Sequence, residues 1–297
     1  MTVSTLPPFI AGLAPVADRY DGYLVDLWGV MHNGVRPYPA AVACLAELKR
    51  RGKQVLLLSN APRRSAEAER RLTAMGIERS LYDGLITSGE ATWHDVKAFD
   101  TPFFEGLGRR CLPIMAPSDA GMLEGLGVTT VTEVAQADFI LALGIEGPGD
   151  KLEKFQPLLE AAIRRRLPMV CANPDLEVMR GEAREICAGA IALAYEERGG
   201  RVRYHGKPHI GVYRRCFAAL GGMAATRILA VGDSLRTDIA GAAAAGTDSL
   251  LILGGILEEQ LGGPESIAAA AVDPARVGRL LDSSAARPGL LMARFGW

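Results

Sequence analysis

The chain has 297 residues and a formal net charge of −1, with the balance of apolar and charged residues of an ordinary soluble globular protein. That length exceeds one typical core and fits two domains, or one domain carrying a large insertion. No Lys/Arg stripe stands out from its acidic surroundings and no stretch is apolar for long enough to span a bilayer, so neither nucleic acid nor a membrane is an expected partner.

The first twenty residues lack a basic region followed by a sustained apolar run, so no export signal is expected and the chain reads as cytoplasmic. Residues 23–30, 54–59 and 84–87 read as buried strands, with helices over 40–51 and 64–75 between them. In the first helix Val42, Leu45 and Leu48 recur at helical spacing, and Gly52 supplies the stop. Strand, helix, strand with short connections predicts right-handed βαβ units and a parallel sheet. A second set begins near residue 100, with strands over 111–115, 139–143 and 169–172 and a helix over 158–167. The run Arg164, Arg165, Arg166 suits that helix's C-terminus. Strands over 228–231 and 249–253 follow. These patterns allow one α/β sheet, two consecutive domains, or an insertion. Cys44, Cys111, Cys171, Cys187 and Cys216 are odd in number and form no CxxC pair, so buried free thiols are expected rather than disulfides or zinc.

Three strand ends carry polar residues suited to phosphate chemistry, and in open parallel sheets such ends share one crevice. Asp26 ends the apolar run Tyr23-Leu24-Val25, and Gly29 lets the chain turn behind it. A buried carboxylate is costly unless paired or bound to a cation, although an Asp capping a turn is common. Ser59 and Asn60 end the second strand, where a hydroxyl and an amide can donate to phosphate oxygens or simply cap a helix. Asp233 and Asp238 follow the strand Ile228-Leu229-Ala230-Val231 and Gly232, a pairing that suits a hard cation such as Mg²⁺. Lys207, in Gly206-Lys207-Pro208, offers one ammonium to a carboxylate and a phosphate. Each element alone has an ordinary structural explanation. Their order, each after a strand or at a helix start, is far less usual.

With these motifs the chain resembles the haloacid dehalogenase superfamily, specifically its class IIA branch of sugar-phosphate, nitrophenyl-phosphate and pyridoxal-phosphate phosphatases. Asp26 matches the nucleophile of motif one, Ser59-Asn60 motif two, Lys207 in GKP motif three, and Gly232-Asp233 through Thr237-Asp238 motif four. Further matches are Ile86-Thr87-Ser88-Gly89, Asn173-Pro174-Asp175 and Ala188-Gly189-Ala190. The resemblance implies an α/β fold, a Rossmann-like doubly wound parallel-sheet core over residues 1–98 and 205–297 with an inserted α/β cap domain over 99–204. It implies that Asp26 attacks phosphorus, that Ser59 and Lys207 bind the transferring phosphoryl group, and that Asn60, Asn173 and Asp175 face substrate. Mg²⁺ would be held by Asp26, the Trp28 carbonyl and Asp233, with Asp238 a direct or outer partner. The partner would be a small phosphorylated metabolite, with homo-oligomerisation left open.

One departure matters. The family's phosphatases carry a second Asp two residues after the nucleophile, as general acid and base, and here that residue is Trp28. Indole donates a hydrogen bond but transfers no proton. The resemblance therefore implies a Mg²⁺-dependent phosphohydrolase that is slow, or selective for leaving groups needing little protonation. Alternatives are a dehalogenase-type hydrolase, against which Asp233 and Asp238 argue, and a non-catalytic phosphometabolite-binding protein. His32, four residues beyond Trp28, is expected to be an exposed flap residue, though near neutral pH an imidazole there could take over proton transfer.

Overall fold

In the computed structural model, which describes residues 6–181, 183–268 and 272–297, strand β1 (Gly22–Val25) is buried along its whole length. A parallel strand reads as a continuous apolar run because both its faces are covered. Helix α1 (Pro39–Arg50) turns Ala41, Cys44, Leu45 and Leu48 toward the sheet, one stripe at helical spacing. Strand β2 (Gln54–Ser59), helix α2 (Ser65–Ala74), strand β3 (Gly84–Thr87) and helix α3 (Ser88–Ala98) continue the alternation.

The chain then builds a second sheet from β4 (Arg110–Ile114), β5 (Thr129–Thr130), β6 (Phe139–Ala142) and, after α4 (Gln156–Arg164), β7 (Met169–Cys171). The antiparallel hairpin of β8 (Glu177–Arg180) and β9 (Ala183–Ile186) follows, then α5 (Ala188–Glu196) and β10 (Val202–Tyr204). It returns through α6 (Ile210–Ala219), β11 (Ile228–Gly232), α7 (Ala240–Ala245) and β12 (Asp248–Ile252), and ends with α8 (Pro264–Ala268), α9 (Pro274–Asp282) and β13 (Leu290–Met292). Among the described residues no helix is long and apolar enough to cross a membrane.

The first sheet runs β13-β12-β11-β1-β2-β3 and the second β10-β7-β6-β4-β5, every pairing in them parallel. Side chains alternate between faces with period two. Tyr23, Val25, Val55, Leu57, Leu229 and Val231 pack on one face of the first sheet, and Leu24, Leu56, Leu58, Ile228 and Ala230 on the other. The second sheet is two-sided in the same way, with Ile140 and Met169 in one cluster and Phe139, Leu141 and Val170 in another.

Strand β1 lies between β2, which the chain enters next, and β11, which it reaches only after the second sheet. The strand order reverses there, and such a reversal opens a crevice beyond the strands' carboxyl ends. The strand expected over residues 23–30 stops at Val25. The run stays apolar because Leu27, Val30 and Met31 are buried in the core, but they lie in a turn that folds back, with the Met31 N–H donating to the Leu27 carbonyl at 2.8 Å.

Candidate active site

The ends of β1, β2 and β11 deliver Asp26, Ser59 and Asp233 to this crevice, side by side at the spacing of adjacent strands. The Asp26 N–H still donates to the Val231 carbonyl at 2.9 Å, which keeps its carboxylate at the rim of the sheet. Lys207 arrives from the segment before α6. Its Nζ lies 2.6 Å from Asp26 Oδ1 and 2.7 Å from Asp238 Oδ1, and the residue is only 2% exposed. Asn60 fixes that lysine from both sides. Its Oδ1 accepts from the Lys207 N–H at 2.8 Å, and its Nδ2 donates to the Lys207 carbonyl at 3.1 Å and to Asp175 Oδ1 at 2.9 Å. Ser59 Oγ accepts from the Ala61 N–H at 3.2 Å, leaving its own proton available to a ligand.

Two glycines make room for the acids. At Gly29 the backbone has φ of +76° and an added Cβ would run into the Asp233 carboxylate. At Gly232 an added Cβ would run into the Asp238 carboxyl, which folds back so that its Oδ2 accepts from the Ser234 N–H at 3.1 Å. The glycine of the Gly232-Asp233 pair at the end of β11 is therefore a packing requirement.

Asp26, Asp233 and Asp238 offer carboxylate oxygens that all lie within 4.8 Å of one another, and all three residues are buried. Burial pushes the Asp26 carboxyl up to about 7, against the pull of Lys207. Burial, then the charges of Asp26 and Asp238, push Asp233 well above the carboxylate range. Burial works against the Lys207 ammonium, but Asp238, Asp26 and Asp175 outweigh it and hold its pKa well above the usual value. Three buried carboxylates thus share one ammonium, an arrangement that calls for a further cation. Both Asp238 oxygens are already engaged, by Lys207 and Ser234. Among the described residues Asp26 Oδ2, Asp233 Oδ1 and the Trp28 carbonyl oxygen accept no hydrogen bond. Free oxygens of this kind have the chemistry of a hard divalent cation's ligands, since such an ion takes a few carboxylate and carbonyl oxygens and completes its shell with water.

Two cavities, of about 620 and 360 Å³, adjoin Asp26. Asp233 and Asp238 line the larger, while Ser59, Asn60 and Asn173 line the smaller. Asp26, Trp28, Asp175 and Val178 line both. Asn173 Oδ1 accepts from the Asp175 N–H at 3.0 Å, so Asn173 shapes the turn that aims Asp175. The Trp28 indole packs against Gly34, lies edge-on to His32 with ring centroids 5.2 Å apart, and sits beneath the Arg180 guanidinium at 5.4 Å.

The expectation of an exposed His32 is overturned. The residue is 3% exposed, because the turn after β1 folds back and carries it inward against Trp28. Burial lowers its pKa to about 4, and its Nδ1 accepts from the Gly34 N–H at 3.0 Å. It is therefore neutral at pH 7 and lacks the charge an imidazolium acid would need.

Several wall residues escaped the sequence reading. Arg63 Nη2 lies 3.2 Å from the buried Asp119 Oδ1, bridging the loop after β2 to the second sheet, and both line the smaller cavity. Arg236 Nη1 donates to the Pro174 carbonyl at 2.7 Å. Arg63 lies in a loop, where no periodic pattern marks it, and Arg236 lies in the π-helical turn Leu235–Ile239, inside the Asp233–Asp238 stretch.

The sequence matches a family model described as haloacid dehalogenase-like hydrolase over residues 23–129, and a second, HAD-hydrolase-like, over residues 204–279. A solved hydrolase of the haloacid dehalogenase-like family from Brucella suis is 30% identical, with a TM-score of 0.81 over 97% of this chain and 100% of that one. The D-glycerol 3-phosphate phosphatase of Mycobacterium tuberculosis is 28% identical over 81% of this chain and 65% of its own length, so this chain spans just under two thirds of that relative. A structure of the mycobacterial glycerol phosphate phosphatase in complex with magnesium shares the fold, at 24% identity and a TM-score of 0.62 over 93% of this chain and 76% of that one.

Proposed function

This chain belongs to the haloacid dehalogenase-like hydrolases, and from that premise we propose that it is a Mg²⁺-dependent phosphohydrolase of small phosphorylated metabolites, working through an aspartyl-phosphate on Asp26. The observation that carries this reading is the Lys207 ammonium held between Asp26 and Asp238 at 2.6 and 2.7 Å, with Asp233 alongside. A lysine so placed neutralises the nucleophile's approach to a phosphoryl dianion. Magnesium, known in complex with the mycobacterial relative, would be held here by Asp26, the Trp28 carbonyl oxygen and Asp233, and would supply charge neutralisation at the phosphoryl oxygens. Asp238 would orient Lys207 from outside that shell.

In the first step an Asp26 oxygen bonds to phosphorus and the bond to the leaving oxygen breaks. The Ser59 hydroxyl and Lys207 ammonium hold the transferring oxygens, and Asn60 keeps Lys207 in place. In the second step water attacks the same phosphorus, releasing inorganic phosphate and the Asp26 carboxylate. Carbon–halogen hydrolysis is the weaker reading, since three buried acids serve a halide poorly. The test is a panel of phosphorylated metabolites assayed with and without Mg²⁺. The parent protein is expected to turn over at least one of them with Mg²⁺, and the near-isosteric Asp26→Asn to turn over none. A panel without a substrate would remove the proposal.

A further inference from the structure

Trp28 passes no proton, so protonation of a leaving oxygen needs another group that reaches the space before Asp26. Neither cavity is lined by a histidine among the described residues. Lys207 is committed to Asp26 and Asp238, and burial raises the Cys187 thiol. Among the described residues, Asp26 and Asp175 are the carboxylates that line both cavities, so Asp175 borders the same space as the nucleophile.

Resting on the phosphohydrolase reading above, we propose that Asp175 is the proton-transfer residue of this site, giving a proton to the leaving oxygen and taking one from the attacking water. Its placement is built rather than incidental. Asn173 Oδ1 holds the Asp175 N–H at 3.0 Å, Arg236 grips the Pro174 carbonyl at 2.7 Å, and Asn60 Nδ2 donates to Asp175 Oδ1 at 2.9 Å. Asn60 follows Ser59 in sequence and Arg236 lies between Asp233 and Asp238, so two of the strand-end motifs clamp this one loop. The groups facing the carboxyl are Lys207, Asp26 and Asp238 across the crevice, Asn60 and Thr237 beside it, and the thiols of Cys171 at the end of β7 and Cys187 before α5. Burial raises the carboxyl above its usual range, with Lys207 opposing and Asp238 adding to the rise, and that favours a proton-bearing form.

The proton balance closes over two steps. As the Asp26–phosphorus bond forms and the leaving bond breaks, the Asp175 O–H proton passes to the leaving oxygen. As water bonds to phosphorus and the Asp26–phosphorus bond breaks, a water proton returns to the Asp175 carboxylate. The donor belongs to the loop between β7 and β8, so leaving-group protonation depends on how the second sheet's loop docks on the first.

The experiment uses phenyl phosphates with leaving groups of graded pKa, in the presence of Mg²⁺, on the parent and on Asp175→Asn. The amide is nearly isosteric and its oxygen still accepts from Asn60. The parent should show a shallow dependence on leaving-group pKa. Asp175→Asn should make it steep, with phenyl phosphate losing about 10²–10⁴ in kcat. With p-nitrophenyl phosphate the variant should release p-nitrophenol in a burst equal to the enzyme and then slow, because the water step also lacks its base. Asp175→Glu should recover part of the loss. A parent with a steep dependence already overturns the assignment without any variant. So does an Asp175→Asn that slows every ester by one factor, with no burst and an unchanged pH profile, since that marks a residue that only positions the loop. A parent with no turnover of any ester sinks the phosphohydrolase reading itself, and the assignment with it.

Discussion

In the proposed mechanism Trp28 and Asp175 would divide between them what one aspartate does in a phosphatase with an acid two residues after its nucleophile. The Trp28 ring packs against Gly34, His32 and Arg180, which leaves only the backbone carbonyl of this residue for the cation. Trp28→Asp placed in the Asp175→Asn background should therefore restore phenyl phosphate turnover, by at most about 10²–10⁴, while in the parent it should add less than about tenfold. A large gain in the parent would mean that no acid was present there. His32 supports a separate prediction. Its folded pKa of about 4 lies below the ordinary 6.5, so between those values the unfolded chain binds a proton that the folded one refuses. Stability from this residue is intact above pH 6.5 and is lost as pH falls toward 4, by up to about 1.4 kcal/mol per pH unit. Urea unfolding at pH 7 and pH 5 should show a smaller acid loss in His32→Gln than in the parent, and equal losses would contradict the buried, neutral assignment. At this scale Asp26, Ser59, Lys207 and Asp233 were legible through their order along the chain, each after a strand or shortly before a helix, since any one of them alone could have been a cap. The burial of His32 was not, because it depends on a turn closing against the Trp28 ring.

Among the elements, those with long periodic signals were the readable ones. Strands β2, β6 and β11 are buried apolar runs and α1 has a one-sided stripe, so burial and spacing name them. The hairpin β8–β9 was missed because its sequence, Glu177-Val178-Met179-Arg180 and Ala183-Arg184-Glu185-Ile186, is charged and only partly buried. Its register is set by cross-strand pairs such as Val178 with Glu185 and by the ion pair of Arg180 with Glu185 at 2.9 Å, none of which a single-strand pattern reports. Strand β5 has two residues, too few for any period. The strand expected over 23–30 failed for the opposite reason. Its apolar residues are buried in a turn, and burial alone does not distinguish a turn from a strand. That error touches the chemistry directly, since ending β1 at Val25 is what lifts Asp26 out of the sheet and into the crevice.

For the molecule as a whole, the order β13-β12-β11-β1-β2-β3 explains why residues as distant in sequence as Asp26, Lys207 and Asp233 meet, and the segment between β3 and β11 supplies the opposite wall. A crevice of three buried acids and one lysine is electrostatically incomplete, so cation binding should stabilise the fold. At a Mg²⁺ concentration of 100 times its Kd the gain is about 2.7 kcal/mol. Thermal unfolding should shift upward with Mg²⁺ in the parent and not in Asp233→Ala, and Asp238→Asn should keep most of the shift because both its oxygens face the protein. A full shift in Asp233→Ala would place the cation elsewhere. The most direct measurement is acid quenching of the parent during turnover of p-nitrophenyl phosphate with Mg²⁺, followed by mapping of the phosphorylated peptide. A phosphoryl group on Asp26, absent from Asp26→Asn, is the predicted result. Undiminished turnover by purified Asp26→Asn, with no phosphopeptide in either protein, would contradict it.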